Sequence, residues 1–236
     1  MYKTETHLHT AESSPCSKLS AEEMLELYYK AGYKTVIVTD HFIQKYLDRY
    51  NSTCWQNAVE RFFLGYRNAK AAGDKLGVNV IPGAEIHLTN VPGDYLLYGV
   101  TQEILCKYPD ICKMTHAEFY RTMRGEGVLV VQAHPRRDGG TYSDFDCVDG
   151  LEVFNSNPRH DDRNELAQAQ ADEHKLYKTA GSDAHRLEDY ALSGMESENE
   201  IKTIEDFIAL VKSEKGQLIK QHHGFTEEEK HTEIPG

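Results

Sequence analysis

The chain has 236 residues, a formal net charge of -12 and 12 histidines. That length suits one α/β barrel or two small domains, and the acidic balance excludes a general nucleic-acid binder, which needs clustered Lys and Arg to displace counterions from phosphates. No apolar run approaches the ~20 residues of a membrane span, and the charged start "MYKTETH" does not read as a signal peptide, so a soluble, cytoplasmic protein with no membrane partner is expected.

In chain order, "TETHLH" reads as a first strand. Ser20 and Glu23 form a capping-box signature ahead of the amphipathic "AEEMLELYYKAGY", which Gly32 closes. "KTVIVTDH" is a buried-strand run, followed by an irregular aromatic-rich loop and a long helix from about Trp55 to Leu76. "VNVIPGAEIHL" and "GDYLLYGV" supply the next strands, and Thr115 with Glu118 forms a second capping box before "AEFYRTMRGEG". "VLVVQAHP", "GLEVFN", the helix "RNELAQAQADEHK" and the strand "YKTAGSDAH" follow, and the helix "TIEDFIALVKSEK" and the strand "QLIKQ" come last. Short strands separated by helices imply repeated βα units and a parallel sheet. Roughly seven such units fit the length, which favours an α/β barrel over an open sheet. Residues 1–224 are expected to form a single barrel domain, and residues 225–236 a peripheral tail.

The strand ends carry the chemistry. His7 and His9 end the first strand, His41 ends "KTVIVTD", Glu85 ends "VNVIPGA", His134 ends "VLVVQA", and Asp183 with His185 ends "YKTAGS". Each follows an apolar run in the direction of the chain, so a parallel barrel gathers all of them at the rim where such barrels build active sites. Residues i and i+2 of a strand share a side, so His7 and His9 can hold one ion together, and Asp183 with His185 repeats the spacing. Packed without a cation, these groups would be left poorly satisfied or unpaired, at a cost of kilocalories each. One histidine after an apolar strand is usually a hydrogen-bonded structural residue; five such strand ends together point to bound metal. The five cysteines (Cys16, Cys54, Cys106, Cys112 and Cys147) are scattered and form no Cys-x-x-Cys pair, which fits free thiols better than a disulfide framework or a zinc ribbon.

The segments "HLHT", "VTDH", "GAE", "QAHP" and "GSDAH", in this order and spacing over residues 7 to 185, resemble the polymerase and histidinol phosphatase (PHP) family of metal-dependent phosphoesterases. The resemblance implies a distorted (β/α)7 TIM-like barrel of PHP type with two or three divalent ions at its strand C-termini. It implies metal ligands at His7, His9, Glu12, His41, Glu85, His134, Asp183 and His185, with Glu85 bridging two ions and Glu12 in the place of an early Asp or His of the family. His7, His9, Glu85, His134 and Asp183 form the expected catalytic set. A His that the family often carries after the strand "DYLLYGVTQ" is replaced by Val100 and Thr101.

Imidazole with carboxylate suits Zn, Mn or Fe; Zn or Mn is expected, with Fe as the further candidate. The charge of such ions exceeds that of their carboxylate ligands, so the pocket of an acidic protein becomes locally cationic and suited to a phosphoryl group. Arg136, Arg159, His160 and Arg186 follow the motif strands and are expected to bind the substrate, with Arg137 and Asn155 beside them. The expected reaction is hydrolysis of a small phosphomonoester, histidinol-phosphate-like or nucleotide-like, by metal-bound hydroxide. An exonuclease-like phosphodiesterase and an amidohydrolase-type hydrolase of C–N or lactone bonds are the alternatives, although the latter class typically bridges its metals with Lys, where Glu85 stands here. A third alternative is a metal-stabilised binding module. With no polymerase region on the chain, a proofreading role is not expected. His87 is expected to support a ligand, Cys16 to be a packing residue, and His116, His174, His222, His223 and His231 to face solvent. The oligomeric state is not legible.

Overall fold

The computed structural model describes residues 1–50, 54–139 and 144–221. The first half runs β1 (Tyr2–Leu8), α1 (Ala21–Lys30), β2 (Tyr33–Val38), β3 (His41–Ile43), α2 (Gln44–Tyr50), α3 (Trp55–Phe62), α4 (Leu64–Leu76), β4 (Asn79–His87) and β5 (Asp94–Tyr98). The second half runs α5 (Gln102–Lys107), α6 (His116–Gly125), β6 (Leu129–Ala133), β7 (Gly150–Asn155), α7 (Asn164–His174), β8 (Tyr177–Gly181), β9 (Ser193–Ser197), α8 (Ile204–Ser213) and β10 (Gln217–Lys220), with short 3-10 turns between. The tail and His222, His223 and His231 lie outside the described residues.

Local chemistry accounts for most helix boundaries. Both expected capping boxes form: Ser20 and Thr115 accept from the backbone N–H of Glu23 and Glu118, whose carboxylates accept in return from the cap N–H, satisfying two donors that the helix itself leaves open. The expected helix from Trp55 to Leu76 is broken at Phe63. Ser13 explains the break, because its hydroxyl donates to the Phe62 carbonyl at 2.6 Å and accepts from Gly65 N–H at 2.9 Å. Inserting a side chain into the helical ladder is one of the few causes of a sharp helix break. The stretch before it, read as an irregular loop, holds β3 and α2 instead.

Seven strands form the barrel wall in the order β1-β2-β4-β5-β6-β7-β8. A parallel bridge between Leu8 and Ala184, with His9 N–H donating to the Ala184 carbonyl at 3.1 Å, brings the last strand back to the first and nearly closes the ring. β9 and β10 pair antiparallel beside β1, and β3 pairs with β4. One expectation fails here: β5 runs antiparallel to both β4 and β6, so the sheet is not wholly parallel. Outside the wall, α1 and α4 pack on β1, β2 and β4 in one apolar cluster, and α3, α5 and α6 pack on β4 to β7 in another. A third cluster joins strand interiors such as Ile37, Leu96 and Val131 to Phe207 and Val211 of α8. The Phe207 and Tyr98 rings lie 4.8 Å apart, so α8 fills the end of the barrel opposite the polar rim. Among the described residues no helix is long and apolar enough to cross a membrane.

Candidate metal centre

The C-terminal ends of the parallel strands and the N-terminal end of β5 meet at one rim, where the motif residues converge. His7 Nε2 and His9 Nε2 are 3.1 Å apart. Glu85 sits among the imidazoles: Oε1 is 3.0 Å from His134 Nε2, while Oε2 is 2.7 Å from His41 Nδ1, 3.3 Å from His9 Nε2 and 3.5 Å from His7 Nε2. Asp183 Oδ1 lies 3.2 Å from His9 Nε2 and 3.5 Å from His7 Nε2, and the Nε2 atoms of His41 and His185 are 3.4 Å apart. Among the described residues three groups have donor atoms all within 4.8 Å of one another: His7, His9 and Glu85; His9, His41 and His185; Glu85, Asp94 and His134.

Hydrogen bonds on the outer side of the rings fix the tautomers. His7 Nδ1 faces Glu152 Oε1 at 2.9 Å, and His185 Nδ1 faces the Asp183 carbonyl at 2.9 Å. His9 Nδ1 faces Ser14 Oγ at 3.3 Å, and that hydroxyl gives its own proton to Asp40 Oδ1 at 2.6 Å. Each Nδ1 therefore donates, and each Nε2 turns a lone pair inward. The inner face of the cluster thus collects lone pairs and carboxylate oxygens. Glu85 Oε2 and His41 Nδ1 are buried and 2.7 Å apart, the closest pair in the cluster. Acceptors crowded in this way repel unless a cation lies among them, and imidazole with carboxylate is a donor set for Zn, Mn or Fe. The residues present fit divalent metal.

Charge and backbone hold the arrangement. Burial would push the Glu85 carboxyl up, but His41 and His7 keep it well below the usual carboxylate range. Burial likewise works against the charged form of Asp183, and Arg137 and His7 hold that carboxyl well below its usual range. His7 is opposed by burial too, yet Glu152, Asp183 and Glu85 raise it well above an ordinary imidazole; buried His9, beside His185 and His41, is held well below one. Arg137 donates to Asp183 Oδ2 at 2.6 Å, to Asp162 Oδ1 at 2.7 Å and to Asn155 Oδ1 at 3.1 Å, leaving Asp183 Oδ1 for the imidazoles. His134 and Asp183 adopt positive φ of 28° and 50°, a conformation costing about 1 kcal/mol or more that persists where the surroundings impose it. Gly181 is required beneath them, since a Cβ there would lie 2.4 Å from His7 Cβ and 2.7 Å from Glu152 Oε1.

Comparison with known proteins places the architecture. A family model described as PHP-associated matches residues 161–215. The chain superposes on a two-domain protein from Bacteroides vulgatus containing a predicted PHP-like metal-dependent phosphoesterase, with a TM-score of 0.68 and 15% identity over 93% of this chain and 65% of that one. The fold is that of the PHP proteins. PsfC from Pseudomonas syringae superposes on this chain with a TM-score of 0.62 and 18% identity, over 97% of this chain and 93% of its own. The lesion-specific endonuclease PfuEndoQ from Pyrococcus furiosus matches at 0.57 and 16%, over 92% of this chain and 57% of its own. A search of the curated proteins finds no match.

Within this PHP barrel, most residues singled out in the sequence come together and two do not. Glu12 stands apart from the cluster: its carboxylate accepts from Ala21 N–H at 2.9 Å, at the start of α1, and from Asn68 Nδ2 at 3.1 Å. The turn in which Ser13 and Ser14 N–H bond back to the Thr10 carbonyl carries Glu12 outward and returns Ser14 and Cys16 to the rim. Cys16 is therefore no packing residue. It is exposed and lines a cavity of about 330 Å³ with His41, His134 and His185. Burial raises its thiol, but the nearby imidazoles of His185 and His41 bring it down to about 6. Arg159, His160, Arg186 and Tyr46 line the same cavity. Arg136 does not; its Nε donates to Gln170 on α7 at 2.8 Å. Arg137 is an internal counter-charge, and Asn155 bonds it.

Two participants escaped the sequence reading. Antiparallel β5 presents its first residue, Asp94, to the rim and sends Thr101, after "DYLLYGV", to cap α5 at the far end. Asp94 Oδ1 is held by His87 Nδ1 at 2.8 Å, the supporting role expected of His87. Glu152, in mid-strand β7, anchors His7 and belongs to none of the motifs quoted. The signal was its position: a carboxylate in a fully buried strand demands a partner.

Proposed function

We propose that the chain is a metal-dependent phosphoesterase that hydrolyses a small phosphomonoester. The observation that carries this reading is the inward focus of imidazole nitrogens and carboxylate oxygens around Glu85, whose two oxygens lie 2.7–3.5 Å from the rings of His41, His134, His9 and His7, at the base of a cavity lined by Arg159, His160 and Arg186. His7, His9, Glu85 and Asp183 would hold one ion; Glu85, Asp94 and His134 a second; His41 and His185 a third. Divalent cations supply Lewis acidity toward a phosphoryl oxygen and activate water as the nucleophile.

The chain's own residues do the rest. Arg159, paired with buried Asp189, and Arg186 present guanidinium groups at the cavity mouth, suited to the outer oxygens of a phosphate. His160, held by Asp138 at 3.0 Å, lines the same cavity and would contact the substrate there, within reach to give a proton to a leaving alkoxide. The net charge of -12 disfavours long polyanions and supports a small substrate over an oligonucleotide. The phosphoesterase and endonuclease descriptions of the Bacteroides vulgatus and Pyrococcus furiosus proteins agree with phosphate-ester chemistry.

The test is an assay of the protein reconstituted with Mn or Zn against an aryl phosphate monoester, the matching diester, short single-stranded DNA and a panel of phosphorylated metabolites. Monoester turnover that Glu85→Gln abolishes is expected. Turnover of the diester or DNA alone would replace the monoester reading with a nuclease-like one, and no turnover by metal-loaded protein would end the phosphoesterase reading.

A further inference from the structure

We propose that Asp189 and Asn157 are positioning residues that fix Arg159 against the strand end bearing Asp183 and His185, and that the fixed guanidinium selects a phosphomonoester over a phosphodiester. The inference rests on reading the imidazole and carboxylate cluster as the centre of a phosphoesterase. A monoester phosphoryl group carries three unesterified oxygens and a diester two. With two oxygens turned to divalent ions, the monoester alone keeps a third for Arg159.

Two tethers hold the arginine. Asp189 is fully buried and pairs through Oδ1 with Arg159 Nη1, while its Oδ2 accepts from His185 N–H and Arg186 N–H, each at 2.9 Å. A buried carboxylate demands such a charge partner, because an uncompensated one is strongly destabilising. On the other side, Arg159 N–H donates to Oδ1 of buried Asn157 at 3.1 Å, and Asn157 Nδ2 donates to the Asp183 carbonyl at 3.1 Å. Asn157 is itself held, its N–H donating to Asn155 Oδ1 at 3.0 Å. The side chain of Arg159 is thus tied toward His185 and its backbone toward Asp183. Among the described residues Asp189 alone bonds the guanidinium, which leaves its other N–H groups to the cavity that Arg159 lines. A planar fork held in one orientation reads the place of an oxygen as well as its charge. Arg186 lines the same cavity with a looser anchor: its Nη1 is 3.8 Å from Glu188 Oε1, and both side chains are 44% exposed. An exposed pair of that kind fixes little, so the discrimination falls to Arg159.

The experiment compares the native full chain, loaded with Mn or Zn, with Asp189→Asn, Arg159→Ala and the double variant. Calorimetry follows the binding of inorganic phosphate and dimethyl phosphate, and kinetics follow an aryl phosphate monoester and its matching diester. In Asp189→Asn the amide oxygen can stay on the His185 and Arg186 N–H groups while the amide NH2 faces Arg159, so the guanidinium loses its acceptor and the turn keeps its own. In each single variant the phosphate Kd and the monoester KM should rise about 10–100-fold, the range of a hydrogen bond to a charged group. Dimethyl phosphate and the diester should change by less than about twofold, since they lack the oxygen concerned, and metal affinity in a chelator competition should hold. The double variant should match Arg159→Ala, because Asp189 acts through Arg159. Equal weakening of monoester and diester, or effects that add in the double variant, overturns the proposal. Arg159→Ala touches neither backbone bond of Asp189 and decides the matter alone if Asp189→Asn does not fold: an unchanged preference for phosphate over dimethyl phosphate overturns the proposal. A metal-loaded native chain that neither binds phosphate nor turns over either ester overturns the phosphoesterase reading itself.

Discussion

Glu152 holds three parts of the rim in register. Its Oε1 takes the His7 Nδ1 proton, and its Oε2 accepts from His134 N–H and from Asn155 Nδ2, each at 2.9 Å. Glu152→Gln keeps the volume but turns one acceptor into a donor, so either His7 or His134 N–H loses its partner. Removing the anchor of a ligating imidazole lowers metal affinity about 10–100-fold, and that loss is expected in a chelator competition, beside a loss of about 1–3 kcal/mol of stability from the buried donor left without a partner. Unaltered affinity would remove Glu152 from the positioning role. Glu5 makes a different test. Its Oε1 accepts from Thr6, His7 and Ser182 N–H, and the buried Tyr28 hydroxyl lies beside the carboxylate. Burial raises the Glu5 carboxyl above its usual value, outweighing those hydrogen bonds. For a raised carboxyl the ionised form is the costly one in the fold, so the penalty is absent at acid pH and grows as pH rises past the unfolded value. Glu5→Gln should therefore raise the melting temperature at about pH 8 and lose that advantage near pH 4; an advantage that persists at acid pH would contradict this origin. The motif residues were legible because each ends a strand whose apolar run announces it. Glu152 and Glu5 were not, since a mid-strand carboxylate shows its role only through the strands beside it.

At the scale of the element, the break between α3 and α4 couples helix packing to the rim. Gly65, in the first turn of α4, lies against the loop after β1: a Cβ there would approach Thr10 Oγ1 to 2.1 Å and Asp40 Oδ2 to 2.4 Å. Asp40 in turn accepts from Thr10 N–H at 2.7 Å, Thr10 Oγ1 at 2.8 Å and Ser14 Oγ at 2.6 Å, the network that orients His9. Gly65→Ala forces this network apart. It should cost about 1–3 kcal/mol, the usual range for overpacking, and weaken metal binding as well, whereas Gly125→Ala, where a Cβ meets nothing within 4 Å, should not reduce stability. Thermal denaturation and metal titration of the two variants separate the outcomes. The capping boxes of α1 and α6 could be read from Ser20, Glu23, Thr115 and Glu118 because capping is local. The helix break could not, since its cause, Ser13, is 49 residues from Phe62 in the chain. The direction of β5 escaped for a related reason: alternation of apolar residues is the same read either way, and only the neighbouring strands distinguish parallel from antiparallel.

For the whole molecule, the seam that closes the barrel and the metal centre are the same place. β1 and β8 meet through the single Leu8–Ala184 bridge and the hydrogen bonds around it, between His7 and His9 on one strand and Asp183 and His185 on the other. A seven-unit barrel was readable from the alternation of strands and helices, but the location of its closure was not, because two extra strands, β9 and β10, occupy the other side of β1. Few backbone bonds cross this seam, so cations shared by His7, His9, Asp183 and Glu85 would act as cross-links between its two sides. Without them the folded state keeps crowded acceptors together at the junction, and protons must take the place of the cations. An ion present at a hundredfold its dissociation constant stabilises the native state by about 2.7 kcal/mol, which in a domain of this size corresponds to roughly 5–10 °C for each ion bound. Calorimetry of the metal-loaded protein against the same protein dialysed with a chelator should show a shift of that order or more. Hydrogen exchange should place the largest loss of protection at the amides of His9 and Ala184, whose bonds join the first and last strand ends. If chelation left both the melting temperature and those amides unchanged, the ions would have no part in closing the barrel.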